Sequence, residues 1–213
     1  MFYVRTAYVT GDPADLDTSL DALRTDAPKI LGDLPGYHGI SIFVDRELGK
    51  MMTASWWDTA EARESSDGAI AERRAQLLAP FARTVAFDRW EAPVATADPH
   101  VEPGAAFRMS AFTFDPAGAD DVIAGFEKIT LPGLVEIPGF VSTALLVDRA
   151  GGQGRVGVIW RDQEALAASR GPQAATRSLS VRSAQMSTGE VAVRSVEEFE
   201  VALLERKPKA LNP

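Results

Sequence analysis

Residues 2–68 recur as residues 105–171. Laid over one another without a gap, at a constant offset of 103, the two stretches agree at 18 of 67 positions. The agreements fall where a backbone is least tolerant. Asp12-Pro13-Ala14 meets Asp115-Pro116-Ala117, Pro35-Gly36 meets Pro138-Gly139, and Val44-Asp45-Arg46 with Gly49 meets Val147-Asp148-Arg149 with Gly152. Arg5 falls on Arg108, and Trp57, Glu61, Ala62 and Ser66 fall on Trp160, Glu164, Ala165 and Ser169. A period near 100 residues is too long for a stacked solenoid and fits two duplicated units.

Each copy reads as strand, helix, strand, turn, strand, helix, strand. "FYVRTAYVT" is β-branched and aromatic, as a strand requires. "DPADLDTSLDALR" opens with an Asp N-cap and Pro at the first helical position, and Leu16, Leu20 and Leu23 share one face. Pro28 is expected to interrupt that helix, leaving a short turn through Ile30 and Leu31. "YHGISIFV" and "MMTASWW" form a hairpin over "DRELGK". "DTAEARESSDGAIAERRAQLLAPF" is helical, with a break expected near Gly68, and "RTVAFDRWEA" is the fourth strand. The second copy repeats the order, with about eight extra residues before its last strand.

A β-α-β-β-α-β unit is the ferredoxin-like plan, an antiparallel sheet with helices on one face. Its strands carry apolar residues on both faces, so the other face must be covered as well. The predicted class is therefore α+β: two tandem ferredoxin-like halves whose antiparallel sheets pack into an intrachain α+β barrel. The halves are expected at 1–92 and 105–205, with a Pro- and acid-rich linker at 93–104 and a tail at 206–213.

Composition narrows the partners. A net charge of −8 and a pI near 4.9 argue against nucleic acid and anionic membranes. Zero cysteines exclude disulfides, thiolate metal sites and cysteine nucleophiles, and two histidines, His38 and His100, make an imidazole metal site unexpected. With no long apolar run or basic-then-apolar leader, a cytoplasmic location is the expectation. "GQGRVG", residues 152–157, has dinucleotide-fingerprint spacing but lies in a predicted hairpin, where no helix N-terminus can meet a pyrophosphate.

The stretch "PGYHGISIFVDRELGKMMTASWWDTAEARESS", and its counterpart "PGFVSTALLVDRAGGQGRVGVIWRDQEALAAS", resemble the antibiotic biosynthesis monooxygenase domain of the dimeric α+β barrel superfamily. The shared pattern is Pro-Gly-aromatic, a hairpin, then a strand ending in Trp-x-x-x-Glu-Ala at a helix start. The resemblance covers nearly the whole chain and implies a fused pair, an intrachain pseudo-dimer, with room for further homo-oligomerisation. It implies cofactor-free oxygenation, haem degradation or no reaction at all. The haem-degrading type places an Asn, a Trp and a His where this chain has Arg5, Ser66 and roughly Gln76, or Arg108, Ser169 and roughly Leu179. The polyketide type places an Asn and a Tyr where Thr53 and Arg63, or Val156 and Leu166, stand. Only the strand-end Trp is kept.

The candidate catalytic residues are Arg5, Trp57 and His38, and the candidate substrate contacts are Tyr37, Thr53, Arg63, Arg108, Phe140 and Trp160. An arginine in mid-strand is costly to bury unless paired. Arg5 and Arg108 are thus either structural ion pairs or guanidinium forks for a carboxylate or phenolate. Trp57 and Trp160 are either core tryptophans or walls for a flat ligand. His38 is either a partly exposed strand residue or a general base, and Tyr37 and Phe140 fill the aromatic position of the motif. No metal and no cofactor are expected. The partner is a small hydrophobic or aromatic molecule. Two functions stay open: a cofactor-independent monooxygenase working in the first half, where the second half has lost His38, Thr53 and Arg63, or a non-catalytic small-molecule-binding or structural barrel.

Overall fold

The computed structural model describes residues 1–96, 101–188 and 190–207, with the backbone alone at 184 and 186–188; His100 lies outside these residues. The chain divides into two compact units, Phe2–Trp90 with Val201 onward, and Glu91–Glu200 with Met1. In the first, β1 (Phe2–Gly11), α1 (Leu16–Gly32), β2 (Tyr37–Asp45), β3 (Lys50–Trp57), α2 (Ala60–Leu78) and β4 (Ala82–Ala95, of which 82–90 belong here) follow the predicted order. The strand order is β4-β1-β3-β2, with residues 201–206 of the last strand beyond β2.

The second unit holds β5 (Ala106–Phe114) and α3 (Ala119–Gly125), which continues through a π turn (Phe126–Thr130) into α4 (Leu131–Val135). Then come β6 (Phe140–Asp148), β7 (Gln153–Trp160), α5 (Gln163–Ala168), α6 (Arg170–Thr188) and β8 (Val191–Arg206, of which 191–200 belong here). Its order, β8-β5-β7-β6, repeats the first, with residues 91–95 of β4 beyond β6. Each unit is thus a ferredoxin-like α+β half with antiparallel strands.

The repeated phrases have repeated causes. Gly36 and Gly139 adopt φ of +72° and +83°, and a Cβ on either would strike the methyl of Ala62 or Ala165. That contact explains why Pro-Gly and Glu-Ala recur together. Gly49 and Gly152, also at positive φ, lie against the carbonyls of Gly11 and Phe114. Asp45 and Asp148 accept from backbone N–H groups three residues on, fixing the hairpin turn. Arg46 and Arg149 reach Asp17 and Asp120 at the start of the preceding helix.

Two helices differ from expectation. α1 runs unbroken through Pro28, because Leu23, Ala27 and Leu31 on its buried face hold the last turns against the core. That packing outweighs a missing hydrogen bond and a ring clash worth about 3 kcal/mol. α2 passes straight through Gly68, whereas the second copy breaks just before the matching Gly171, at Ser169. The core of the first half includes a cluster around Leu20, Ile42 and Trp57. In the second half, among the described residues, one cluster gathers around Phe126 and Leu145 and another around Leu134 and Trp160.

Candidate functional site

Strand alternation puts Tyr3, Arg5, Ala7 and Val9 of β1 on one face, toward the helices, opposite Thr53, Ser55 and Trp57 of β3. On α2, Arg63, Ser66, Asp67, Ile70 and Arg74 share the facing side at helical spacing. Arg5 is 5% exposed. Its Nη1 donates to Ser66 Oγ at 3.0 Å, Arg63 O at 3.2 Å and Asp67 Oδ1 at 3.4 Å. All three bonds use one nitrogen, and Arg5 also lines a cleft with Thr53, Ser55, Ile70, Arg73, Arg74 and apolar residues of α1. Burial pulls the pKa of Arg5 down to about 10, with Asp67 opposing, so it is a cation at neutral pH.

Arg108, 2% exposed, sits in a duplicate of this cradle, formed by Ser169 Oγ at 2.8 Å and Leu166 O at 2.7 Å. Unlike Arg5 it is saturated. Nη1 also reaches Gln173 Oε1, and Nε and Nη2 both reach Glu198 Oε1, at 2.9 and 2.7 Å. Gln173 stands where the first half has Ile70. Arg108 does not line the cleft of its own half.

The difference traces to a reversal of charge. Asp67 corresponds to Arg170 at the offset of 103. Aligning the last strands on their buried aromatics, Trp90 and Phe199 (2% and 3% exposed), puts Arg89 on Glu198. Arg89 Nη2 donates to Asp67 at 3.2 Å, and Arg170 Nη2 donates to Glu198 at 2.7 Å. The helix-to-strand ion pair persists with its polarity exchanged. In the first half the carboxylate arrives from the helix and touches one corner of Arg5. In the second it arrives from the strand and clamps Arg108 along its length.

The other candidates spread out. Thr53 lines the first cleft beside Arg5. Trp57 is fully buried behind Arg5, 5.7 Å from its Cζ, with Nε1 donating to Ser55 Oγ at 3.1 Å. Tyr37 packs edge-on against Trp57; burial, then Glu205, push its hydroxyl well above the usual range, and among the described residues that hydroxyl has no partner. Arg63 lends its carbonyl to Arg5, while its own guanidinium donates to Trp90 O at 2.9 Å. His38 stacks on Phe2 at 4.3 Å, with Nδ1 3.8 Å from Asp58, outside the cleft lining. Phe140 lies edge-on to Trp160 at 6.3 Å, and among the described residues Trp160 Nε1 has no acceptor, Val158 standing in place of Ser55.

Residues not singled out from sequence complete both cradles: Ser66, Asp67, Ser169, Gln173 and Glu198. The recurrence of Ser66 as Ser169 was a visible signal. Glu198 was hidden by the extra residues that break the offset before β8. The second-half cleft, about 680 Å³ against about 490 Å³ in the first, mouths included, is lined by members of both second-half core clusters.

No family model matches the chain. Two curated relatives are uncharacterised proteins of Mycobacterium tuberculosis (strain ATCC 25618 / H37Rv). Rv2557 is 27% identical over 182 residues, covering 85% of this chain and 81% of its own length. Rv2558 is 26% identical over 202 residues, covering 94% and 84%. Among solved structures, a candidate monooxygenase of Fusobacterium nucleatum superposes with a TM-score of 0.70 at 11% identity, covering 97% of this chain and 94% of its own. An anthrone oxidase-like protein gives 0.65 at 16% identity, with 96% and 92% covered. A Listeria monocytogenes ferredoxin-fold protein related to antibiotic biosynthesis monooxygenases gives 0.51 at 9% identity, with 94% and 95% covered. The chain has the antibiotic biosynthesis monooxygenase fold. That fold matches over almost the full length of both chains in each comparison, and at these identities it is the fold alone that is shared.

Proposed function

We propose that this monooxygenase-like chain is a cofactor-independent oxygenase whose working cleft is that of the first half, and that it takes a small polycyclic phenol or anthrone-like ketone. The observation that carries the reading is Arg5, a buried cation held by one nitrogen, in the lining of an otherwise largely apolar cleft. Such a donor stabilises an aryl oxyanion more than the neutral phenol or ketone, and removing one comparable donor costs about 10²–10³ in rate. Among the described residues no carboxylate or imidazole lines this cleft. The substrate proton must therefore leave to water, which favours a substrate with an acidic C–H or O–H.

For an anthrone-like ring the balance is simple. The C–H proton leaves, and the resulting anion passes one electron to dioxygen. Carbon and oxygen radicals combine into a peroxide, and loss of water leaves a ring carbonyl. One oxygen atom enters the product and the other departs as water, without an external reductant. Arg5 would hold the oxygen on which the anion's charge rests, and Arg73 and Arg74 would strengthen the field.

Dioxygen uptake with anthrone and with simple naphthols tests this. The expected result is saturable uptake above the uncatalysed rate, label from isotopic dioxygen in the product, and a kcat/KM about 10²-fold lower in Arg5→Met. Saturable anthrone binding without uptake would make the chain a binding protein, the reading that the lack of a base in the cleft favours.

A further inference from the structure

The second-half cleft contains a charge that its surroundings leave unsatisfied. Arg177 lines it and corresponds to Arg74 at the offset of 103. In the first half Arg74 donates to Asp67 at 2.9 Å and lies 4.3 Å over the ring of Phe87. The second copy lacks both supports: Arg170 stands in place of Asp67 and Val196 in place of Phe87. Among the described residues Arg177 keeps one hydrogen bond, to Ser110 Oγ at 3.5 Å, and no carboxylate. Its neighbours cannot help, because Gln173 serves Arg108 and Arg170 serves Glu198. Burial, and then the like charge of Arg108, draw the pKa of Arg177 below its usual value, as expected of a cation without a counter-charge.

Around this cation the cleft is apolar, with Phe112, Phe126, Leu145, Val156 and Val181 in its walls. Thr130 and Ser180, also at the cleft, satisfy each other at 2.7 Å. The π turn Phe126–Thr130 contributes both its end residues to the lining, and α1 in the first half has no such turn. Turns of this kind concentrate at functional sites.

We infer that the second-half cleft binds an amphipathic monoanion, an apolar carboxylic acid whose head pairs with Arg177 and whose body lies among Phe112, Phe126, Leu145 and Val156. One unpaired guanidinium matches one carboxylate through a two-bond fork. A dianion would be left half-compensated, and a headless hydrocarbon would leave Arg177 as costly as before. This site is separate from the oxygenase reading, which concerns Arg5 and the other half.

The test is calorimetric titration of the full chain with decanoate, and with decanol as the uncharged control. Decanoate is expected to bind one per chain, with decanol about tenfold weaker or more, since a charge-assisted bond is lost. Arg177→Met should bring decanoate down to the level of decanol without lowering the melting temperature, and Arg177→Lys should retain part of the preference. Arg5→Met should leave decanoate binding unchanged. The proposal is overturned if wild-type protein does not bind decanoate, if Arg177→Met binds it equally well, or if Arg5→Met abolishes binding.

Discussion

Arg5 and Arg108 occupy the same place in their strands, and replacing each with methionine should separate their roles. Methionine keeps roughly the volume and removes the cation. Arg108→Met strips partners from Ser169, Gln173, Leu166 O and Glu198 at once. Breaking a buried pair in this way costs about 3–5 kcal/mol, a fall in melting temperature of about 6 °C or more for a chain of this size. Arg5→Met vacates one nitrogen's contacts, and Asp67 keeps Arg74 and Arg89. Its cost should be less than half as large, with the effect showing in ligand binding instead. Equal losses in both variants would refute the distinction drawn between the two cradles. The sequence marks both arginines as costly to bury, but their different fates depend on Asp67, Arg170, Gln173 and Glu198, three of them helix residues and one a strand residue far along the chain.

At the scale of the element, glycine and proline are the places where local rules and observed helices part. Gly68 lies in an unbroken, exposed stretch of α2; a Cβ added there would meet nothing within 4 Å, and its φ is not positive. Gly68→Ala should therefore raise stability by about 0.5–1 kcal/mol, read as a higher midpoint in urea at unchanged slope. A lower midpoint would show that the helix needs a break there. Nothing in the structure explains why glycine recurs at Gly171. Pro28 shows the converse: local chemistry predicts an interruption, and burial of Ala27 and Leu31 overrides it. The Asp-Pro start was legible: Asp12 and its repeat Asp115 each accept the N–H two residues on, capping a short 3-10 turn ahead of the helix, while Thr59 and Asp162 cap α2 and α5.

For the whole molecule, one half-buried carboxylate in each half, Asp67 and Glu198, links stability to acid. Arg170, then Arg108, hold Glu198 below the ordinary value of 4.5 against the cost of burial. Burial works against ionisation of Asp67, yet the hydrogen bond from Arg74 and the charges of Arg5, Arg74 and Arg89 outweigh it and hold it below 3.8. Because both folded-state values are depressed, their stabilisation is complete above the unfolded values and is lost as pH falls through the folded ones. The melting temperature should therefore drop on acidification from about pH 5 to about pH 2. Glu198→Gln should flatten that slope while starting from a lower plateau. A melting temperature independent of pH across this range would show that the two networks carry no stability.

What the sequence determined by itself is what repeats: two ferredoxin-like halves, their helix caps, their hairpins and the glycines that let Pro-Gly lie against Ala. These are short-range constraints, written in adjacent residues and therefore readable twice. The fold comparisons agree with that reading over nearly the full length of the chain. What tertiary structure alone decided is which cation is satisfied. Arg5, Arg108 and Arg177 look alike along the chain, each a charge among apolar or helical neighbours. Their difference lies in carboxylates brought from other elements, and the exchange of Asp67 for Arg170 and of Arg89 for Glu198 conserves the ion pair while redirecting it. Coulombic partners are set by a few ångströms in space, not by spacing in sequence, so the site's chemistry became visible only once helix and strand were in place.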